Sequence, residues 1–252
     1  MARDFAIGAG DFIVTPTINA VTTRTFAAWC RPASYPATSG RAWEWRDVAG
    51  SNANIEFAIA GSNVLRVTQN WSPTAGIWTV PGPSTGVWTH VAFTYDGGST
   101  ANNPVVYLNG VSQTVTRTTV PVGTLNANNV GSTLGQRFGG SGNEYDGALA
   151  EAALWNRILN ASEVAALGAG FTPDTNARGL LFYYPLIGAY SPEVDLSPAG
   201  AGRATVTNTV PLTHPPIRRK TTARNFIFVA GAGATGYGSL FGHTRNRLVY
   251  TP

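Results

Sequence analysis

Short apolar runs alternate with polar punctuation along almost the whole chain. Residues 25–31, 42–47, 55–59, 64–69 and 77–80 are rich in β-branched and aromatic side chains, and Gly, Pro, Asn, Asp or Ser separates them. Alternation at period two predicts strands with one buried face, and the continuous runs predict strands buried on both. The pattern returns at 88–95 and 105–108, then through Asn109-Gly110 to 111–115, and again at 120–125, 131–135 and 146–155. Asn-Gly supplies the paired positive φ angles of a type I′ hairpin turn. One segment, 160–168, reads as a helix: Asn160 is a suitable N-cap, Glu163 completes a capping box, and Gly168 or Gly170 ends it. So short a helix needs the strands to pack against. Beyond it, 179–186 and 204–210 read as further strands, and His214-Pro215-Pro216 breaks the pattern. The runs at 225–230 and 247–250 are strand-like and flank a Gly-rich stretch. Many short strands with one short helix predict an all-β antiparallel jelly-roll sandwich over 1–213, followed by a separate tail over 214–252.

Two stretches carry a family likeness. The first is Trp88-Thr89-His90-Val91-Ala92-Phe93-Thr94-Tyr95-Asp96-Gly97 with Tyr107-Leu108-Asn109-Gly110. The second runs from Gly147 to Leu159 and on to Ser162-Glu163-Val164. Together they resemble the laminin-G-like, pentraxin-related branch of the concanavalin A-like lectins, well over residues 20–170 and loosely over 179–213. The resemblance implies a jelly roll closed by the 146–155 strand and its helix, and a binding or assembly module rather than an enzyme. It is specific for fold and much less so for function.

Composition sharpens the picture at three points. Only 12% of residues are charged, which suits a turn-rich β protein with a large apolar core. The single Cys30 sits in a core-strand run and reads as a small buried residue. Charge is divided unevenly: after Asp195 there is no acid, while Arg218, Arg219, Lys220, Arg224, Arg245 and Arg247 give residues 214–252 a net charge of +6. Residues 1–8 carry no apolar run of signal-peptide length, and no stretch is apolar enough to span a membrane. These features lead to the expectation of a virion component or another extracellular particle-surface protein, phage-encoded, with an outward-facing lectin-like body. Its basic tail would mediate self-association or docking onto other particle proteins through Arg218, Arg219, Lys220, Arg224, Phe226 and Phe228. A solvated terminus and nucleic-acid contact are the weaker readings of that tail. The alternative for the whole protein is a free carbohydrate-binding lectin.

Candidate chemistry is sparse. Hydrolytic sandwiches of this superfamily place carboxylates on alternate positions of one strand. Glu44-x-x-Asp47 and Glu144-Tyr145-Asp146 do not supply three such positions. His90, His214 and His243 are too scattered for a triad or a zinc site, and His90 reads as structural. No cofactor is required. Calcium is the one ion the resemblance allows, with Asp47, Asn52 and Asn54 in one loop and Glu144 and Asp146 in another as candidate ligands. Leu134-Gly135-Gln136 resembles a pentraxin stretch, but Arg137 and Phe138 stand where that family has acidic ligands. Sugars stack on exposed rings. Tyr35, Trp71 and Trp78 lie in or beside turns and are the stacking candidates, whereas Trp29, Trp88 and Trp155 are assigned to packing.

Overall fold

The computed structural model describes residues 2–19, 21–36, 40–46, 53–60, 63–126, 131–137, 142–188 and 191–218, with 46 and 53–60 as backbone alone. The strands, in chain order, begin with β1 (Ala2–Phe5), β2 (Phe12–Val14), β3 (Thr23–Pro32), β4 (Gly40–Arg46), β5 (Ala53–Ala60), β6 (Val64–Gln69), β7 (Trp71–Thr74) and β8 (Gly76–Pro81). They continue with β9 (Thr89–Asp96), β10 (Val105–Leu108), β11 (Val111–Ser112), β12 (Thr116–Thr119), β13 (Val122–Leu125), β14 (Ser132–Leu134) and β15 (Gly147–Trp155). Helix α1 (Ala161–Gly168) and a 3-10 turn (Pro173–Asn176) precede β16 (Leu180–Tyr184), β17 (Thr205–Thr207) and β18 (Val210–Leu212).

Two antiparallel sheets form the sandwich. The first runs β11-β10-β9-β3-β15-β1-β18, with β16 also pairing β15; the second runs β12-β8-β6-β5-β4-β14-β2-β17. A two-stranded ribbon, β7 with β13, stands apart from both. Between the sheets, Trp43 stacks on Phe26 with ring centroids 4.2 Å apart. Trp43, Trp45, Trp78, Phe93 and Tyr145 belong to the same buried cluster. Trp43 and Trp45 share a strand face, as their spacing requires, and that face is the interior. Cys30 is fully buried there, and burial raises its thiol pKa far above the ordinary value. The Asn109-Gly110 turn has φ of 49° and 80°, as the type I′ reading demands. The Asp96 side chain accepts the Gly98 N–H at 2.9 Å, as a turn residue does.

The outer face of the first sheet carries α1. Asn160 caps it and Glu163 closes the capping box. Glu163 also takes both arms of the Arg157 guanidinium, at 2.7 and 2.8 Å. Val164 and Leu167 then pack against Ala27, Ala92, Tyr107 and Trp155 from the sheet. No described helix is long and apolar enough to cross a membrane.

Two features depart from the sequence reading. Strands β1 and β2 add to it, since no strand was read before residue 25. β1 forms because β15 and β18 flank it, and because Arg3 reaches the Glu193 carboxylate at 2.8 Å. The second change is the boundary after residue 213. The compact unit extends to Lys220, because His214 lies against Glu151 and the Arg218 N–H donates to the Gly170 carbonyl. Of the proposed tail residues, Arg218 is thus held to the body by its backbone. Arg219, Lys220, Arg224, Phe226 and Phe228 lie outside the described residues.

Candidate binding site

The structure moves the three aromatic candidates away from the role expected of them. Trp78 is 1% exposed, and its indole N–H donates to Asn103 Oδ1 at 2.8 Å. Trp71 is 7% exposed and donates to the Tyr95 hydroxyl at 3.2 Å. Rings enclosed in this way are packing groups, not platforms for sugars. Tyr35 is half-buried against the core, and its hydroxyl donates to the Pro83 carbonyl.

The carboxylate candidates are also committed elsewhere. Glu144 accepts the Gly8 N–H, and Asp146 accepts the Ser34 hydroxyl. Glu44 is buried on the outward side of β4, 2.8 Å from Arg41. Among the described residues, no group of three or more His, Cys, Asp or Glu side chains gathers as a metal site would need. Asp47 and Asn52 lie outside the described residues, as does the side chain of Asn54.

A different site emerges on the outer face of the first sheet. Register places Val210, Asp4, Ala148 and Arg31 side by side across β18, β1, β15 and β3. A cleft of about 200 Å³ opens there, with Asp4, Arg31, Pro32, Gly86 and Leu212 in its lining and Gly147 and Ala148 at its base. Glycine is required at 147: a Cβ there would sit 2.3 Å from the Arg31 carbonyl oxygen. Arg31 is oriented by its Nε, which donates to the Gly86 carbonyl at 3.1 Å. Gly86 is itself fixed, because its N–H donates to the Pro32 carbonyl at 2.7 Å.

Electrostatics and an aromatic complete the site. Partial burial raises the Asp4 carboxyl pKa above its ordinary value, Asp146 and Asp11 push the same way, and Arg31 opposes them. Beside the cleft, Trp88 is half-buried on a satellite cluster of Ala2, Trp29 and Ala150 that also holds Leu212. Behind it His90 is buried, its ring edge-on to Trp29 at 5.5 Å. Burial pushes the His90 imidazole pKa down to about 3, so it is neutral. Its Nδ1 has no partner among the described residues. The cleft thus offers a carboxylate acceptor and a guanidinium donor around a small concavity, and Trp88, assigned to packing from the sequence, does pack on the neighbouring cluster but stays partly exposed there. Such a combination suits a polar ring with an apolar face.

Two other depressions are less equipped. One of about 360 Å³ on the second sheet is lined by Asn63, Val64, Thr79, Pro81 and Thr116, without a charged group or an aromatic ring. The other, near α1, contains Arg157 and Glu163, which are already bound to each other.

A profile of the concanavalin A-like lectin/glucanases superfamily matches residues 8–165. A putative carbohydrate binding protein from Bacteroides ovatus superposes with a TM-score of 0.62 at 18% identity, over 86% of this chain and 61% of that one. The native heptameric SAP-like pentraxin of Limulus polyphemus gives 0.53 at 16% identity, over 66% of this chain and 81% of that one. The binding domain of botulinum neurotoxin serotype G gives 0.52 at 12% identity, over 66% and 42%. No curated protein sequence matches the chain.

Proposed function

The chain belongs to the concanavalin A-like lectin/glucanases superfamily, and from that premise we propose that it is a non-enzymatic carbohydrate-binding module whose sugar site is the Asp4–Arg31 cleft. The observation that carries the reading is the cleft itself, with opposite charges on two walls and Trp88 beside it. A pyranose would donate hydroxyls to Asp4, accept from the Arg31 Nη groups, and lay its apolar face toward Trp88. The Bacteroides protein, described as a putative carbohydrate binding protein, supports the ligand class. No calcium is needed for these contacts; the loop candidates leave an ion as a separate contribution.

A glycan panel screened with the full chain, in calcium and in chelator, tests this. Saturable binding that Trp88→Ala and Asp4→Asn each weaken at least tenfold would support it. Binding indifferent to both substitutions would place the site elsewhere, and no binding across the panel would remove the sugar reading.

The charge division favours a second layer of function. A neutral body followed by a segment with six cations and no acid suits display on a particle, a phage virion among them, with the basic segment docking on acidic partner surfaces or on other copies. Light scattering on the full chain and on a chain ending at Lys220 separates the cases. An oligomer that becomes a folded monomer supports assembly through the tail; two monomers exclude self-assembly by that route.

A further inference from the structure

After β18 the chain stays on the sandwich. Leu212 packs with the Trp29 cluster on the outer face of the first sheet, Pro215 is buried, and Arg218 bridges to Phe171 just beyond α1. Residues 213–218 therefore form a strap, and the basic segment begins where the strap ends.

Glu151 anchors this strap. It lies in the bulge of β15 between Ala150 and Ala153, with φ of 54°, in the left-handed region that side chains avoid. A bulge re-aims the side chain it carries. The Glu151 carboxylate is buried, and one oxygen accepts the Tyr183 hydroxyl. The other lies 3.0 Å from His214 Nε2. On the far side of the ring, His214 Nδ1 is 2.9 Å from the Pro215 carbonyl oxygen. Neither Nε2 nor that Glu151 carboxylate oxygen makes a hydrogen bond among the described residues, so the contact is one of charge: an imidazolium 3.0 Å from a buried carboxylate is attracted to it, and a neutral imidazole is not.

We propose that His214 and Glu151 form a proton-operated latch, which holds the root of the basic C-terminal segment on the sandwich while His214 is protonated and frees it when the proton leaves. Among the described residues, the titratable groups placed against the ring by these contacts are Glu151 from β15 and, through it, Tyr183 from β16. His90 shares the face from β9 but is neutral, and Asp195 is spent on the Tyr183 N–H at 2.9 Å and on Ser197. Arg218, Arg219 and Lys220 follow closely in sequence, the last two outside the described residues. The sign follows directly. The ion pair exists only with the imidazolium, so the strap is held on the acid side and loosened on the alkaline side. This device is independent of what the cleft binds.

Hydrogen exchange of the full chain tests it, read at the Arg218 amide, which donates to the Gly170 carbonyl, and at the Phe93 amide in β9 as a control. With exchange corrected for its intrinsic pH dependence, Arg218 protection should fall about tenfold between about pH 5.5 and about pH 8.5, while Phe93 protection holds. His214→Gln, on the strap rather than in the core, should make Arg218 protection independent of pH, and Glu151→Gln should do the same where it folds. Wild-type protection that does not change with pH, or a pH dependence that survives in His214→Gln, overturns the latch.

Discussion

Replacing Trp78 separates a packing role from a binding role more sharply than any other single change. The indole is 1% exposed, lies 5.5 Å from the Tyr95 ring, and donates to Asn103 Oδ1. Truncating a buried Trp to Ala costs about 3–5 kcal/mol, and the lost N–H···O bond about 1 kcal/mol of that scale. Asn103 Oδ1 is not orphaned, because Arg117 Nε also donates to it at 2.6 Å. We therefore expect Trp78→Ala to destabilise by about 4 kcal/mol, which at an m-value of about 2 kcal/mol/M moves the urea midpoint by about 2 M.

Gly76 provides an internal control. It lies on the same face of β8, and a Cβ at that position would meet Trp78 Cη2 at 2.2 Å. Gly76→Ala alone should cost about 1–3 kcal/mol by overpacking, because the anchored ring cannot retreat. In the Trp78→Ala background the clash has no partner, so the double-mutant cycle should show a coupling of at least about 1 kcal/mol. Urea titration followed by far-ultraviolet circular dichroism measures all four proteins. A Trp78→Ala loss below about 1 kcal/mol accompanied by lost glycan binding, or strict additivity with Gly76→Ala, would refute the buried assignment.

Three further outcomes follow from other contacts. Glu163→Gln should cost about 1 kcal/mol in urea unfolding by weakening the α1 cap. Because Arg157 lowers the Glu163 pKa, that contribution is present above the ordinary carboxylate range and is lost as pH falls through the folded value, so the wild-type advantage over the variant should vanish in acid. Asp4→Asn should leave unfolding midpoints equal to wild type or higher at neutral pH, since a carboxyl with a raised pKa contributes stability only while protonated and loses it as pH rises; glycan binding should nevertheless drop, and a midpoint that falls with it would contradict the assignment. Gly147→Ala should be poorly folded when expressed, because the atoms within 3 Å of the new Cβ are backbone atoms of residues 31–33; a variant with wild-type stability would show the close approach of β15 to β3 to be wrong.

The strands were legible where one face is buried over several residues. In β6, Leu65 and Val67 point inward and Arg66 and Thr68 outward, which is the alternation visible in the chain. The same rule places Trp78 with Val80 on the inner face of β8; proximity to a turn was the weaker guide, and it led to the wrong role. β1 carries almost no local signal, since Arg3 and Asp4 interrupt it, and its partners lie far away: the Arg3–Glu193 contact spans 190 positions. The bulge at Glu151 shows in sequence only as Ala152 and Ala153 falling out of step with Leu149. The cleft was illegible for a related reason. Asp4, Arg31, Gly86 and Leu212 come from four separate segments, and only the order β18-β1-β15-β3 makes them neighbours. That order also explains why one face gathers so much. The inner faces are filled by tryptophans and other aromatics, whereas the outer face of the first sheet carries small residues at 148 and 150 on its central strand. Small side chains there leave room for the cleft between Asp4 and Arg31 at one end, for α1 at the other, and for residues 213–218 between them.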